Sequence, residues 1–430
     1  MLSASRATRE PRSGLRPSPR GPYALGMVGV GLAVALLCAP SSIARRVSNP
    51  PAKTAAAARA FVEFQIPTLT SRPSAIAVGP GGNLWFTEER ANKIGRITPS
   101  GKLTTFTDPT PHDAPTGITA GPDGNVWFTG AGSIGRITPA GSITHFPIPP
   151  TEVVLPPPAP PLTGSSPYAI TTGPDGNLWF TEWLADKIGR ITPSGTITQF
   201  QIPTADSDPY GITVGPDGNL WFTEERGDKI GRITPSGTIS EFQVPIPGSF
   251  PYGITAGREG NLWFTETSAN DIGRITPSGA ISEFKIPTVH SDPSYGITAT
   301  RDGNVWFTEE VGNKIGRITP SGAISEFAVP AAESSPVGLT ASANGDLWFT
   351  EALGNSIGRI EPQLLAIKCV VPRLTGKTLT QAKQLLARAH CSLGRVAQPA
   401  KHSHKLVVVS QNPAAKRTLA SGTKVNLRLG

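Results

Sequence analysis

Short apolar segments alternate with turns rich in Gly and Pro along most of the chain. In residues 210–244, the segments YGITVG, NLWFTE, KIGRIT and TISEFQV are joined by the turns PDG and PSG and by one short loop. Apolar side chains alternate within each segment, which is typical of strands that bury both faces. Pro, Asp and Gly supply the fixed or positive φ that chain reversal needs. The pattern therefore predicts four short antiparallel strands.

This four-strand unit occurs seven times. The Trp of a Trp-Phe pair recurs at steps of 42, 52, 42, 42, 43 and 42 residues, at Trp85, Trp127, Trp179, Trp221, Trp263, Trp306 and Trp348. A period near 42 residues with several strands in each unit is typical of propeller blades. We therefore predict an all-β fold, a seven-bladed β-propeller over residues 61–366.

The two ends of the repeat region complement each other. The last repeat stops at Ile360, after its third strand, and the segment FVEFQIP at residues 61–67 matches the missing fourth strand. We expect this N-terminal strand to complete the last blade, which closes the ring and leaves no exposed sheet edge.

One face of the predicted disc carries loops that differ between repeats, and such loops are where ligand specificity is expected. They lead into the inner strands at Ser74, Thr116, Tyr168, Tyr210, Tyr252, Tyr295 and Val337. We interpret the four tyrosines as candidate ligand-binding residues at the mouth of the central channel, for an unidentified small molecule or peptide.

Strand two ends on the same face, in a glutamate in six of the seven repeats. These positions are Glu88, Gly130, Glu182, Glu224, Glu266, Glu309 and Glu351. Two interpretations stay open. The carboxylates could bind a divalent or organic cation at the mouth, or each could pair with amides and basic side chains of its own repeat.

The repeat unit resembles that of the virginiamycin B lyases, also called streptogramin lyases. The elements LWFTE, NKIGRIT and EFxIP recur in order over residues 61–361. The resemblance implies a seven-bladed propeller that opens the ester ring of a cyclic depsipeptide antibiotic by Mg²⁺-assisted elimination. In such a reaction the cation polarises the ester carbonyl and a general base removes the α proton.

The catalytic histidine of that family is not matched here. In the family, His begins strand one of the last two blades, where this chain has Tyr295 and Val337. Ser335 stands where the resemblance implies a metal-binding carboxylate, two residues earlier, and Glu351 is the position that matches. The resemblance therefore predicts the fold but leaves the lyase chemistry in question.

A lyase of this sequence would need a relocated or different acid/base group. The candidates are Tyr295, Tyr210 and two histidines of the variable loops, His290 and His112, although a tyrosine with a pKa near 10 is a poor base at neutral pH. Asp208 and Glu224 are the nearest surviving pair of carboxylates. Together with Glu351, they are the candidate Mg²⁺ ligands.

The N-terminus has the pattern of an export signal. Five arginines precede the apolar run 23–39, and Ser42-Ile43-Ala44 forms a small-residue cleavage site. We predict a signal peptide at residues 1–44 and a flexible leader at 45–60; the alternative is an uncleaved membrane anchor. The protein is therefore expected in the cell envelope or outside the cell.

The last 64 residues form a different module. Residues 367–430 predict a strand, a helix capped by Thr378, a strand and then two more strands, with Leu379, Ala382, Leu385, Leu386 and Ala389 on one helical face. The segments VPRLTGKTLTQA, VVSQNPAA and GTKVNLRL resemble a PASTA domain, with Lys416-Arg417 departing from its pattern. The resemblance implies a cell-wall protein, because several such domains bind peptidoglycan.

Charge separates the two modules. Residues 61–366 hold 18 basic and 30 acidic side chains, whereas residues 367–430 hold 12 basic and no acidic ones. An acidic body argues against nucleic-acid binding, and a basic tail favours an anionic envelope polymer; the alternative is a solvated spacer. Cys369 and Cys391 flank the helix in an exported chain, so we predict a disulfide between them.

Two functions follow from the sequence. In the first, a monomeric envelope protein uses its propeller as a binding platform and its PASTA-like domain to attach to peptidoglycan, with no certain cofactor. In the second, the chain is a Mg²⁺-dependent carbon–oxygen lyase with a non-histidine acid/base group. The first explains the missing histidines and the basic tail.

Overall fold

The computed structural model describes residues 60–150, 152–153, 162–163, 165–362, 369–389, 391–399, 406–419 and 424–430. All of them belong to the compact unit Pro50–Gly430. The predicted signal peptide 1–44 and all of the predicted leader 45–60 except Ala60 lie outside these residues. Within the described part of the chain, no helix is long and apolar enough to cross a membrane.

Seven four-stranded antiparallel sheets follow one another along the chain, as the repeat predicts. From the inner to the outer strand, blades one to three are Pro73–Val78, Leu84–Glu88, Lys93–Ile97, Leu103–Thr107; Ile118–Ala120, Val126–Thr129, Ser133–Ile137, Ile143–Pro147; and Pro167–Thr172, Leu178–Glu182, Lys187–Ile191, Ile197–Gln201. Blades four to six are Pro209–Val214, Leu220–Glu224, Lys229–Ile233, Ile239–Gln243; Pro251–Ala256, Leu262–Glu266, Asp271–Ile275, Ile281–Lys285; and Pro293–Ala299, Val305–Glu309, Lys314–Ile318, Ile324–Ala328.

The seventh blade confirms the predicted closure. It combines Pro336–Ala341, Leu347–Glu351 and Ser356–Ile360 with the N-terminal strand Phe61–Gln65. Phe61 pairs with Ile360 and Gln65 with Ser356 in antiparallel register. The ring is thus closed by main-chain hydrogen bonds between its two ends.

The core lies between neighbouring blades. The repeated Trp and Phe of strand two are at most 1% exposed in every blade. The repeated Gly of strand three makes room for that Phe: a Cβ on Gly95 would lie 2.0 Å from the ring of Phe86. The glycine of KIGRI is therefore a packing requirement of the strand.

An arginine connects each of six blades to the next. In blade four, the Arg232 guanidinium lies 5.4 Å from the Trp221 ring and 5.5 Å from the Phe242 ring. It also donates to the Pro277 carbonyl of blade five, at 3.3 Å. Equivalent hydrogen bonds to a proline carbonyl are donated by Arg96, Arg136, Arg190, Arg274 and Arg359. The constant IGRITPSG motif is thus explained by contacts within and between blades.

Three short elements interrupt the regular pattern. A hairpin of Glu152–Val153 and Leu162–Thr163 lies in the long insertion between blades two and three. Two 3₁₀ turns connect strands within single blades. Pro80–Gly82 lies between strands one and two of blade one, and Trp183–Ala185 lies between strands two and three of blade three.

The C-terminal region combines one helix with short strands. Its elements are Cys369–Val370, the helix Leu379–Arg388, Ser392–Ala397, Val408–Asn412, Thr418–Leu419 and Lys424–Leu429. Lys424–Leu429 pairs in parallel with Ser392–Ala397 and antiparallel with Val408–Asn412. The sequence predicted two strands after residue 405; the structure has a third, Thr418–Leu419, paired with Cys369–Val370.

The predicted helix face and cap are confirmed. Ala382 and Leu386 are at most 1% exposed in the core of this region, and Leu379, Leu385 and Ala389 pack against it. Thr378 accepts a hydrogen bond from the backbone amide of Gln381, and the Gln381 side chain accepts one from the Thr378 amide. This reciprocal capping box fixes the start of the helix.

Candidate functional site

Four tyrosines meet at the start of the inner strands of blades three to six. The rings of Tyr168 and Tyr210 are 4.7 Å apart, those of Tyr210 and Tyr252 are 4.5 Å apart, and Tyr168 lies 5.8 Å from Tyr295. We call these four residues the tyrosine cluster. The sequence predicted that they would converge, and the structure brings all four into ring contact.

The tyrosine hydroxyls are held in their neutral form. Tyr168 and Tyr252 are joined by a hydrogen bond of 2.9 Å between their hydroxyl oxygens. Burial raises the pKa of Tyr295 to about 12 and raises the pKa values of the other three well above their ordinary range. A hydroxyl with so high a pKa removes a proton from a substrate poorly at neutral pH.

A cavity of about 100 Å³ adjoins the cluster. It is lined by inner-strand residues of six blades, including Ile118, Ile212, Ile254, Leu339 and Tyr295. The cavity is therefore a feature of the inner strands, and Tyr295 is the member of the tyrosine cluster that lines it.

Acidic side chains surround the tyrosine cluster. Burial raises the pKa of Asp208 to about 6 and that of Glu225 to about 7, and Asp208 lies 3.5 Å from the Arg226 guanidinium. The charge of Glu225 contributes to the raised pKa values of Tyr210 and Tyr252. The charges of these carboxylates therefore reach the tyrosine hydroxyls.

Two more carboxylates act on Tyr168. Charges on Glu89 and Glu310 contribute to its raised pKa. Glu310 accepts hydrogen bonds from Ser294 at 3.3 Å and from Ser335 at 3.1 Å. We call Glu89, Asp208, Glu225 and Glu310 the rim carboxylates. Three of them directly follow the repeated strand-two glutamate, and sequence reasoning passed over that position.

The repeated strand-two glutamates themselves are fully buried inside their own blades. Glu182 accepts a hydrogen bond from Gln199 of strand four at 2.8 Å, and Glu224 and Glu309 lie beside the strand-four residues Glu241 and Glu326. Burial raises the pKa of Glu182 to about 7 and those of Glu224 and Glu309 to about 8. These contacts are with residues of the same blade.

The candidate metal ligands have different partners. Asp208 pairs with Arg226, whereas Glu224 lies beside Glu241 and Lys229. Glu351 is fully buried near Glu63, and burial raises its pKa to about 7.

The residues of blades six and seven do not reproduce a Mg²⁺ site of paired carboxylates. Ser335 has a hydroxyl group where a carboxylate is expected, and this hydroxyl donates a hydrogen bond to Glu310. Without a carboxylate at position 335, these residues are a poor match to the oxygen-rich coordination that this ion requires.

The two loop histidines are exposed. His112 and His290 have φ values of 60° and 53° in the loops that precede blades two and six. Another histidine, which sequence reasoning did not single out, is half-buried: His145 on strand four of blade two contacts Asp108 and Asp113. The sequence feature that could have directed attention to His145 is the absence of the strand-two glutamate from blade two.

Seven four-stranded blades around a tyrosine-lined centre, closed by the N-terminal strand, define a seven-bladed β-propeller followed by a small α+β domain. The chain belongs to the virginiamycin B lyase family, whose sequence profile matches residues 52–156 and 159–373. The PASTA domain profile matches residues 370–430.

Solved structures of similar proteins agree with this assignment. A streptogramin B lyase is 39% identical, with a TM-score of 0.64 over 70% of this chain and 97% of that one. A virginiamycin B lyase from Staphylococcus aureus is 41% identical, with a TM-score of 0.63 over 70% of this chain and 98% of that one. A catalytically inactive histidine-to-alanine variant of the S. aureus enzyme was crystallised with quinupristin.

Curated relatives match over a much shorter stretch. Virginiamycin B lyases of Bordetella bronchiseptica and Bordetella pertussis are 44% identical over 39 residues. The match spans 9% of this chain and 13% of each relative.

Proposed function

We propose that the chain is an exported envelope protein whose propeller binds a cationic ligand at the tyrosine cluster and whose PASTA domain attaches to peptidoglycan. The observation that carries the first half is the contact of four tyrosine rings beside the rim carboxylates. Aromatic faces and carboxylates together attract organic cations. The proposed limits are 1–44 for the signal peptide, 45–60 for the leader, 61–366 for the propeller and 367–430 for the PASTA domain.

The peptidoglycan half of the proposal is supported by the PASTA match and by charge. The 12 basic and no acidic side chains of residues 367–430 favour an anionic polymer. We expect purified cell walls to retain the protein at low salt, to release it as salt rises, and to retain far less of a chain ending at residue 366. Equal retention of both chains would contradict the attachment role. The same PASTA match supports an extracytoplasmic location.

The cation-binding half is tested with choline and its neutral isostere 3,3-dimethyl-1-butanol, titrated into the protein by calorimetry. We expect choline to bind more tightly, and Glu225→Gln to weaken it. The pKa of Glu225 is about 7, so choline affinity should rise between pH 6 and pH 8 as this carboxyl ionises. Glu333→Gln, at an exposed loop position, is the matched control. Equal affinity for the two compounds would contradict a cationic ligand.

The alternative is a Mg²⁺-dependent carbon–oxygen lyase that linearises a cyclic depsipeptide of the streptogramin B type. It is favoured by the identity of 39–41% to the solved lyases. Against it stand Tyr295 and Val337 at the positions where the resemblance implies histidines, and the high pKa of the tyrosine hydroxyl. His112 and His290 remain the other candidate bases.

Quinupristin and MgCl₂ decide between the two functions. The protein is incubated with both, and the S. aureus lyase serves as the positive control. Elimination leaves the mass of the antibiotic unchanged but makes it linear, which fragmentation reveals, whereas hydrolysis adds water. We expect an intact ring. A linear product that is lost with chelator or with Glu351→Gln would establish the lyase instead.

A further inference from the structure

Blade two departs from the other six blades at a set of positions that meet in space. Elsewhere, the residue after strand four of the preceding blade is Ile or Val, the loop into strand one carries a serine, and strand two ends in glutamate. At these three positions blade two has Asp108, Asp113 and Gly130. Strands three and four add Ser133 and His145. The coordinated change indicates a local role that the repeat itself does not need.

The five residues form one connected group. The His145 Nε2 atom is 2.8 Å from Asp108 Oδ1, and its Nδ1 atom is 3.0 Å from Ser133 Oγ. Ser133 Oγ donates to Asp113 Oδ1 at 3.2 Å, and Asp113 Oδ2 lies 3.8 Å from His145 Nδ1. One possible ligand atom from each of the two aspartates and the histidine lies within 4.8 Å of the others.

Both aspartates keep one oxygen without a hydrogen-bond partner among the described residues. Asp108 Oδ2 and Asp113 Oδ2 are buried and accept no hydrogen bond from these residues, and the two side chains are 0% and 3% exposed. Two buried carboxylates exceed the single positive charge that a protonated imidazole can offer. Because an uncompensated buried charge is costly, the group calls for a further cation.

Gly130 is what makes room for this arrangement. A Cβ at this position would lie 1.9 Å from Asp113 Oδ2, so the Asp113 carboxylate occupies the space of the missing strand-two side chain. His145 is 15% exposed and is the most exposed of the three ligand candidates. Gly130 therefore removes the strand-two carboxylate and admits the carboxylate of Asp113 beside the imidazole.

We propose that Asp108, Asp113 and His145 bind a divalent transition-metal ion of the Zn²⁺ type. Imidazole and carboxylate ligands suit Zn²⁺, which takes four ligands and accepts three from a protein with water or a hydroxyl as the fourth. Ser133 lies beside the site to supply or orient that fourth ligand. Mg²⁺ is disfavoured because it prefers oxygen ligands in octahedral geometry. This site differs in blade and in ligands from the lyase positions at Tyr295, Val337 and Glu351.

The proposal is tested by titrating chelator-treated protein with ZnCl₂ in a calorimeter. His402 and His404 are two positions apart in the sequence and outside the described residues, so the background is the double variant His402→Ala/His404→Ala. In that background we expect one equivalent of Zn²⁺, a higher melting temperature of the propeller, and no comparable effect of MgCl₂. Absence of Zn²⁺ binding, or equal affinity for Mg²⁺, would overturn the proposal.

Variants in the same background assign the ligands. His145→Ala and Asp113→Asn should each weaken Zn²⁺ binding at least about tenfold, and Gly130→Ala should weaken it although no ligand atom is removed. His290→Ala, on an exposed loop, is the control that should bind normally. Asp113→Asn preserves the shape of the side chain, so it stays informative if His145→Ala fails to fold.

Cobalt gives a second measurement that does not depend on affinity. The visible spectrum of the Co²⁺ complex should indicate a four-coordinate site with a nitrogen ligand and should change in His145→Ala. Zn²⁺ affinity and a Co²⁺ spectrum that are both unchanged in His145→Ala and Asp113→Asn would place the ion elsewhere. In that case the group is a metal-free hydrogen-bonded network.

Discussion

The buried strand-two glutamates predict a propeller that loses stability as pH rises. Glu309 is fully buried. Burial and then the charge of Glu326 raise its pKa from 4.5 to about 8, against a smaller opposing effect of Lys314. The folded state therefore keeps this proton over a pH range in which the unfolded chain has lost it. The resulting stabilisation is complete below pH 4.5 and is lost as pH rises through about 8.

The size of the effect follows from the two pKa values. Linkage at a single site with these values gives a stabilisation of about 3 kcal/mol at pH 6 that has almost vanished at pH 9. Glu309→Gln has no proton to lose. The difference in unfolding free energy between the native protein and this variant should therefore change by about 2–3 kcal/mol between the two pH values, in favour of the variant at pH 9.

Urea unfolding followed by tryptophan fluorescence measures this difference in the propeller alone, because all eight tryptophans lie between residues 85 and 348. Glu333→Gln, at an exposed loop position, is the control and should follow the native protein at both pH values. If the native protein and Glu309→Gln differ by the same amount at pH 6 and pH 9, Glu309 does not titrate in this range and the reasoning is refuted.

Three further predictions concern packing and covalent structure. Gly95→Ala places a methyl group against the Phe86 ring and should lower the unfolding free energy by about 1–3 kcal/mol; an unchanged urea midpoint would argue against this packing. Thr378→Ala removes a helix cap and should lower the unfolding free energy of the C-terminal region by about 1 kcal/mol. Calorimetry should show this loss as a lower melting temperature, and an unchanged melting temperature would mean that the cap is dispensable. Cys391 is buried, and the predicted disulfide to Cys369 has a direct test. Peptide mapping without reductant should recover the linked pair, and reduction should cost about 3 kcal/mol, whereas free thiols would contradict the prediction.

The repeat made the propeller predictable from sequence. Each blade repeats one pattern of Trp, Phe, Gly and turn residues, so seven copies gave the blade count, the strand order and the closing strand. The tyrosine cluster was predictable for the same reason, since the repeat places Tyr168, Tyr210, Tyr252 and Tyr295 at one position of the inner strand.

The positions of the acidic side chains were harder to predict. Successive side chains of a strand point to opposite sides, so two adjacent carboxylates at a strand end lie on different sides. The sequence placed the repeated glutamates near the mouth and left open whether they bind a cation or partners within their own repeat; the structure buries them within blades. The residues that follow them, Glu89, Glu225 and Glu310, act on the tyrosines instead. Only the folded structure shows which of two adjacent carboxylates acts on the tyrosines.

The blade-two group was visible in part. Gly130 stands out in the repeat alignment, and so does Asp108 in place of an aliphatic residue. Asp108 belongs to the preceding repeat, however, and only the path of the connecting loop brings it to His145. A comparison of the repeats position by position identifies the substitutions, but their contact is a property of the tertiary structure.

The closing strand also constrains when the ring can form. Hydrogen bonds such as that from Asn355 Nδ2 to the Ile66 carbonyl join residues 289 positions apart. Contacts of such long range form late and slowly, whereas neighbouring blades can assemble as they emerge. A chain that is exported from its N-terminus would thus deliver the closing strand first and its partner strand almost last. The ring would then be completed only after nearly the whole propeller had crossed the membrane.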